Sequence, residues 1–354
     1  MNHAQNASVP VYAAVIAERF TTNVLAISRL GNGLINDTYL VRSAGQSFVL
    51  QKINASVFTK PQAIIENFLL ISEHIRLKPK ARLQIPTLML TQNEELWVID
   101  DTGEFWRAQS FIADTYNFDY LQSPEQAIQT GLALGHFHFL FSDLPTSLLN
   151  DTLPGFHITP GYLAAYYSIA NTPYARSAFC ERFIEQFAPE ADKLERAKQQ
   201  GVLPMRVIHG DPKLNNFLFN KPGQAISLID LDTVKPGLLH YDIGDCLRSC
   251  CHNHDDDSFN LDYCALILEA YLSEIGSIFS SADFDYLHIA IRLIPFELGL
   301  RFYTDHLLGN RYFKTQYACQ NLERAEALFR LCASIDAQKI AMTKIIKQLA
   351  KASI

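Results

Sequence analysis

Up to about residue 112 the chain alternates apolar and polar positions, and beyond that its apolar residues recur at helical spacing. Alternation is clearest over 37–42, where Thr38, Leu40 and Arg42 stand against Tyr39 and Val41. Leu25–Leu30 precedes this run across Gly31-Asn32-Gly33, and Ser47–Ile53 follows it after the turn signal Ala44-Gly45. These segments predict an antiparallel ladder with a glycine-rich turn at one end. One helix interrupts the strands. Pro61 marks its start, and Ile64, Ile65, Phe68, Leu69, Ser72 and Ile75 follow at helical spacing. Thr87–Thr91 and Leu96–Asp100, joined by the polar 92–95, predict two more strands, and Phe105–Ile112 a third, with Arg107 and Gln109 interleaved.

Helical periodicity then runs through Gln126–Phe141, Tyr162–Ala170, Ser177–Gln199, Asp262–Ile275, Asp283–Leu293, Ile294–Leu308 and Leu322–Ala350. One island of strand character lies among them, Val207–Phe219 and Ala225–Asp232, broken by Lys221-Pro222-Gly223. The pattern predicts an α+β protein of two lobes. A small antiparallel β lobe with one helix spans residues 1–109, and a large, mainly helical lobe spans 110–354, with the passage between them at about 106–113. A ligand cleft is expected between the lobes.

Composition narrows the picture further. The chain has 354 residues, enough for two structural units, and its 16 Gly and 15 Pro exclude collagen-like or broadly disordered classes. Thirty basic against 37 acidic residues give a net charge of −7, which argues against nucleic acid or an anionic membrane as partner. The seven cysteines form no C-x-x-C pair and are odd in number, so a disulfide framework is not indicated. Residues 1–10 carry no Lys or Arg, unlike a signal peptide, and no run approaches a membrane span. A cytoplasmic protein with reduced thiols is expected.

The strongest chemical signal is His209-Gly210-Asp211-Pro212-Lys213-Leu214-Asn215-Asn216. Asp211 and Asn216 have the spacing of a kinase catalytic loop, in which a carboxylate accepts the proton of an attacking hydroxyl and an amide oxygen holds a metal ion. Lys213 is placed to neutralise a transferred phosphoryl group. Across a hairpin, Leu228-Ile229-Asp230-Leu231-Asp232 carries a carboxylate out of a strand end. Asp230 is the expected second metal ligand, with Asp232 helping through water.

These blocks resemble the aminoglycoside phosphotransferase and choline kinase superfamily, whose fold is protein-kinase-like. The likeness extends towards one branch, the N-acetylhexosamine 1-kinases, through Gly31–Tyr39, Phe48–Asn54, Lys213–Asn216, Ile229–Thr233, Arg301–Asp305 and Tyr312-Phe313. The resemblance implies ATP and Mg²⁺ as cofactors, with Gly31, Asn32 and Gly33 covering the phosphates. It also implies that the hinge offers main-chain groups to adenine, from Gln109 to Phe111. A phosphate-facing Lys on the third strand is usual in this fold. Here its register falls on Gln51, with Lys52 next. Alternation sends these two to opposite faces, so one of them faces the nucleotide.

Asp242 in Asp242-Ile243-Gly244-Asp245 is read, by the same resemblance, as a residue that holds catalytic-loop amides in place. Cys246, Cys250, Cys251, His252 and His254 are read as buried thiols beside a solvated loop rather than a metal site. On the acceptor side, the resemblance assigns Arg301, Asp305, Tyr312 and Tyr317, with Asp211, to holding a sugar. The expected function is ATP-dependent phosphorylation of a sugar hydroxyl, that of N-acetylhexosamine at the anomeric position. The alternatives are a kinase of another small alcohol (aminoglycoside, choline, ethanolamine or homoserine type) or a non-catalytic nucleotide-binding relative. Intact Asp211, Asn216 and Asp230 speak against the last.

Overall fold

A computed structural model describes residues 10–31, 33, 35–169 and 171–352. The chain enters through α1 (Val11–Ala17), β1 (Val24–Arg29), β2 (Asp37–Ser43) and β3 (Phe48–Ile53), followed by α2 (Pro61–Arg76). β4 (Leu88–Met89), β5 (Val98–Ile99) and β6 (Phe105–Ser110) complete an antiparallel sheet of order β1-β2-β3-β6-β4, with β5 also on β6. The two segments expected at 87–91 and 96–100 do not pair with each other. Both lie against β6, Met89 opposite Ala108 and Val98 opposite Trp106.

The pleat of this sheet sorts its residues. Phe48, Leu50, Trp106 and Ala108 face α1 and bury with Ala13, Ile16, Ala17, Tyr39 and Val41. The opposite parity, Ile53 and Phe105, packs with Ile64 and Ile65 of α2. Strand periodicity therefore fixes which polar residues can turn towards α2 and the second lobe.

The helical lobe begins with α3 (Pro124–Leu140), α4 (Thr159–Tyr167), α5 (Ala178–Phe187) and α6 (Lys193–Gln199). The single helical stretch expected at 177–199 is broken by a 3₁₀ turn at Ala188–Glu190, because Pro189 has no N–H to continue the ladder. Next come β7 (Arg206–Ile208), β8 (Phe217–Phe219), β9 (Ala225–Leu228) and β10 (Lys235–Gly237). They form two small ribbons, β8 with β9 and β7 with β10. α7 (Leu239–Cys250), α8 (Leu261–Ile275), α9 (Ser281–Leu307), α10 (Gln320–Ala337) and α11 (Lys339–Ala352) follow.

α9 is one helix of 27 residues and runs through Pro295, where two had been expected. Residues on both sides of Pro295, from Phe284 to Leu307, bury in the same core, which offsets the lost hydrogen bond. Gly244 lets α7 approach α9. A Cβ there would stand 2.8 Å from the Ala290 carbonyl oxygen. The close contact holds α7, and Asp242 with it, at the base of the site. Among the described residues no helix is long and apolar enough to cross a membrane.

Candidate active site

The segment 209–216 leaves β7, turns through Gly210 at φ +87°, and returns by a 3₁₀ turn into β8. Its backbone is held from beneath by Asp242, which is fully buried. The carboxylate accepts from the His209 N–H at 2.6 Å and the Gly210 N–H at 2.8 Å. His138 Nε2 lies 2.9 Å from the same carboxylate, and its Nδ1 is 2.9 Å from the Tyr271 hydroxyl. Burial pushes the Asp242 pKa up, but His138 and the amide donors outweigh it and the net direction is down. An ionised carboxylate accepting several donors suits a fixed anchor.

His209 packs inside, with Nε2 2.9 Å from the Ile229 carbonyl oxygen and its ring against Phe137. Burial holds its pKa down. It serves the loop rather than the cleft.

Asp211 is half-buried and paired with Lys213, whose Nζ also lies 4.0 Å from Asp230. Burial raises the Asp211 pKa. Lys213 opposes this, and Asp245 and Asp230 add to it, leaving a net rise. Asn216 donates its amide N–H to the Asp211 carbonyl at 2.8 Å, which leaves the amide oxygen as a donor atom for an ion. Asp230 sits in the left-handed region at φ +69°, a costly conformation for a non-glycine residue. The loop therefore gathers two carboxylates, one amide oxygen and one ammonium. Among the described residues no cluster of three or more His, Cys, Asp or Glu is arranged to hold a metal ion. A magnesium site needs no such cage, because substrate phosphates and water complete its shell.

Above the loop, the sheet decides between Gln51 and Lys52. Gln51 is buried on the α2 face. Lys52 takes the α1 face, 3.8 Å from Asp37 and 3.6 Å from Glu104, with its ammonium over the Tyr12 ring. Gln51 Oε1 accepts from Arg107 Nε at 3.1 Å and Nη2 at 2.7 Å, and from Gln109 Nε2 at 3.3 Å. Arg107, directly opposite Gln51 on β6, is fully buried and ion-paired with Asp232. Lys52 thereby points away from α2 and the second lobe, and Gln51 towards them. Asp232 is also placed differently from the sequence expectation. It is 1% exposed, and Asn36 Nδ2 donates to its second oxygen at 2.9 Å, so neither oxygen is open to an ion or its water. Glu66 on α2 accepts from Asn150 and, among the described residues, pairs with no cation.

Gly31 adopts φ +71° in the turn between β1 and β2, Gly33 lies in the same turn, and Asn32 falls outside the described residues. At the passage between lobes, Gln109 sits inside the sheet between β3 and β4. Phe111 lies just beyond β6 and is the better placed of the two to offer main-chain groups.

On the other side of the loop, His157 Nε2 meets the Gly210 carbonyl oxygen at 2.7 Å and Nδ1 meets Glu297 at 3.1 Å. A carbonyl and an ionised carboxylate only accept, so with Glu297 ionised both ring nitrogens donate and the surroundings favour the imidazolium. Burial lowers its pKa, but Glu297 and its neighbours outweigh that and raise it. One helical turn beyond Glu297, the Arg301 guanidinium stands over four rings. Phe156 and Tyr162 are each 5.0 Å away, Phe313 5.4 Å and Tyr312 5.7 Å.

Residues 26–274 match the model of the phosphotransferase enzyme family (APH). The chain belongs to that family. Solved structures share its fold at low identity. A microcompartment-associated aminopropanol kinase has a TM-score of 0.67 at 16% identity, covering 93% of this chain and 98% of its own. The aminoglycoside phosphotransferase from Alicyclobacillus acidocaldarius scores 0.60 at 14%, covering 99% and 100%. An amicoumacin kinase in complex with AMP-PNP and Ca²⁺ scores 0.59 at 14%, covering 88% of each chain. The kinase-like fold expected from the sequence is the fold of this phosphotransferase.

Two acceptor-side expectations change in the phosphotransferase structure. Asp305 accepts from the N–H groups of Arg311, Tyr312 and Phe313 and from Asn321, so its carboxylate ties down a loop instead of facing a ligand. Tyr317 is half-exposed and donates to Glu323, outside the ring cluster. Tyr312 keeps its place beside Arg301. Sequence reasoning missed Arg107, His157 and Asn36. Arg107 left a trace in alternating with Gln109 on the same strand face, whereas His157 and Asn36 carry no local signal.

Proposed function

We propose that this phosphotransferase is an ATP- and magnesium-dependent kinase acting on the anomeric hydroxyl of an N-acetylhexosamine, such as N-acetylglucosamine or N-acetylgalactosamine, to give the sugar 1-phosphate. The residues fit the cofactors. Asp211 and Asp230 are two carboxylates that share one ammonium, Lys213; burial, with Asp245 and Asp230 adding to it, raises the Asp211 pKa, and Asn216 offers an oxygen beside them. Asn216 and Asp230 would hold magnesium, which when bound neutralises phosphate charge. Asp211 accepts the proton of the attacking hydroxyl, and Lys213 offsets charge on the transferred group. The turn at Gly31 and Gly33 would cover the phosphates, and Phe111 would meet adenine. We place the boundary between the nucleotide lobe and the acceptor lobe at 109/110. A cytoplasmic location belongs to the same reading, supported by seven free cysteines.

The acceptor assignment is carried by one observation, the Arg301 guanidinium among four rings. An aromatic cage is what would hold a quaternary or primary ammonium. Here a cation of the chain already fills it, so an amine-bearing acceptor meets repulsion while a neutral polyol or amide meets planar donors. Glu297, one helical turn before Arg301 on α9, is linked to the catalytic loop through His157 and the Gly210 carbonyl. ATP consumption measured against N-acetylhexosamines, amino alcohols and aminoglycosides tests the reading, and phosphorus NMR reads the regiochemistry. Turnover with an amino alcohol or aminoglycoside but with no N-acetylhexosamine would overturn the acceptor assignment, and a 6-phosphate product would overturn the regiochemistry.

A further inference from the structure

Kinases of this general plan place a lysine of the third strand on the nucleotide phosphates and brace it with a glutamate of the first large helix. That arrangement is not present here. β3 presents the neutral Gln51 on the α2 face and turns Lys52 to the α1 face, and Glu66 of α2 is exposed, accepts from Asn150 and forms no ion pair among the described residues. A buried cation nevertheless lies at this point of the fold. Arg107 is reached by crossing one strand from Gln51, lies over the Phe68 ring of α2 at 5.4 Å, and pairs with Asp232, two residues beyond Asp230.

Two features of Arg107 are unexplained by packing. Its Nη1 is buried and has no hydrogen-bond partner among the described residues, an expensive condition for a charged donor. Its neighbours also converge from three directions: Gln51 from the sheet, Asn36 from the end of the glycine turn, and Asp232 from the segment after Asp230.

Resting on the nucleotide reading above, we propose that Arg107 is the phosphate-binding cation of this protein, with Asp232 as its brace. The pair takes over the work of the lysine and glutamate from a different strand and a different loop. Nη1 donates to a phosphate oxygen, while Nε and Nη2 are held by Gln51 and Asp232. Because Asp232 follows Asp230 in the chain, and Asn36 precedes β2, the same pair couples the glycine turn to the metal-holding segment.

Calorimetric titration of the full-length protein with adenosine and with MgADP separates this role from a structural one. Arg107→Gln should weaken MgADP by about ten- to a hundredfold, the scale of a hydrogen bond to a charged group, and leave adenosine within twofold. The double variant Gln51→Lys/Arg107→Gln, which moves the cation to the third strand, should recover most of the MgADP affinity. Arg107→Lys keeps the buried charge, and it carries the test if the glutamine variant does not fold. It should lose MgADP affinity severalfold with adenosine unchanged. Equal losses for adenosine and MgADP in the folded variants, or no recovery in the double variant, would overturn the proposal and leave the nucleotide reading intact. Failure of the wild-type protein to bind either ligand would overturn both.

Discussion

Gly210 stands between the catalytic loop and the segment that follows Asp230, and replacing it with alanine perturbs both. At φ +87° an L side chain is strained, and a Cβ would lie 2.5 Å from the Thr233 carbonyl oxygen and 2.9 Å from the Thr233 Cβ. Thr233 cannot retreat freely, because its hydroxyl donates to the His209 carbonyl at 2.9 Å. The left-handed backbone costs about 1–2 kcal/mol. Overpacking against a fixed backbone adds about 1–3 kcal/mol. Gly223→Ala supplies the control, since Gly223 has φ +88° with nothing within 4 Å. Urea unfolding should show Gly223→Ala destabilised by the torsional part alone, and Gly210→Ala by about 2–5 kcal/mol in total. The amide and carbonyl of Gly210 are held by Asp242 and His157, so the strain moves Asp211, and a displacement on the order of 1 Å costs about 10²-fold in rate. Gly223→Ala, in an exposed hairpin, should keep its kcat. Equal destabilisation of the two variants, with kcat of Gly210→Ala within twofold of wild type, would refute the reasoning.

Three further outcomes are expected. Asp211→Asn should lower kcat by roughly 10²–10⁴ while MgATP binding by calorimetry persists, and near wild-type turnover would remove Asp211 from the role of base. Lys213 opposes the rise in the Asp211 pKa, so Lys213→Met should move the acid limb of the kcat/KM profile to higher pH; an unmoved or lowered limb would contradict the pairing. His157 has a raised pKa, so the stability it adds is complete below about pH 6.5 and lost as pH climbs through the raised value. The stability gap between wild type and His157→Asn, chosen because Asn tolerates φ +64°, should shrink from pH 6 to pH 8 in urea titrations, and a constant gap would show a neutral ring.

What could be read from the sequence was what short stretches of chain decide for themselves. His209–Asn216 is one continuous loop, so the spacing of Asp211, Lys213 and Asn216 survives folding unchanged, and strand or helix periodicity is local to each element. The break at Pro189 is equally local, a missing N–H acting on its own turn, but the apolar periodicity of 177–199 runs through it and hid it from the sequence reading. Strand periodicity told that Gln51 and Lys52 point to opposite faces.

Which face meets the cleft was decided only when α1 packed on one side of the sheet and α2 on the other. Arg107 stands opposite Gln51 through a strand register spanning 56 positions, and its pairing with Asp232 crosses 125. No pattern along the chain records such distances. For the same reason Asp305 and Asp232 read as free carboxylates in sequence and prove to be occupied in the fold. A carboxylate's partners are set by which backbone amides and cations the packed core brings within 3 Å or so, and hydrogen bonds reach no farther. The sequence determined which chemical groups the protein carries and their local order, and the tertiary structure determined which of them are left facing the cleft.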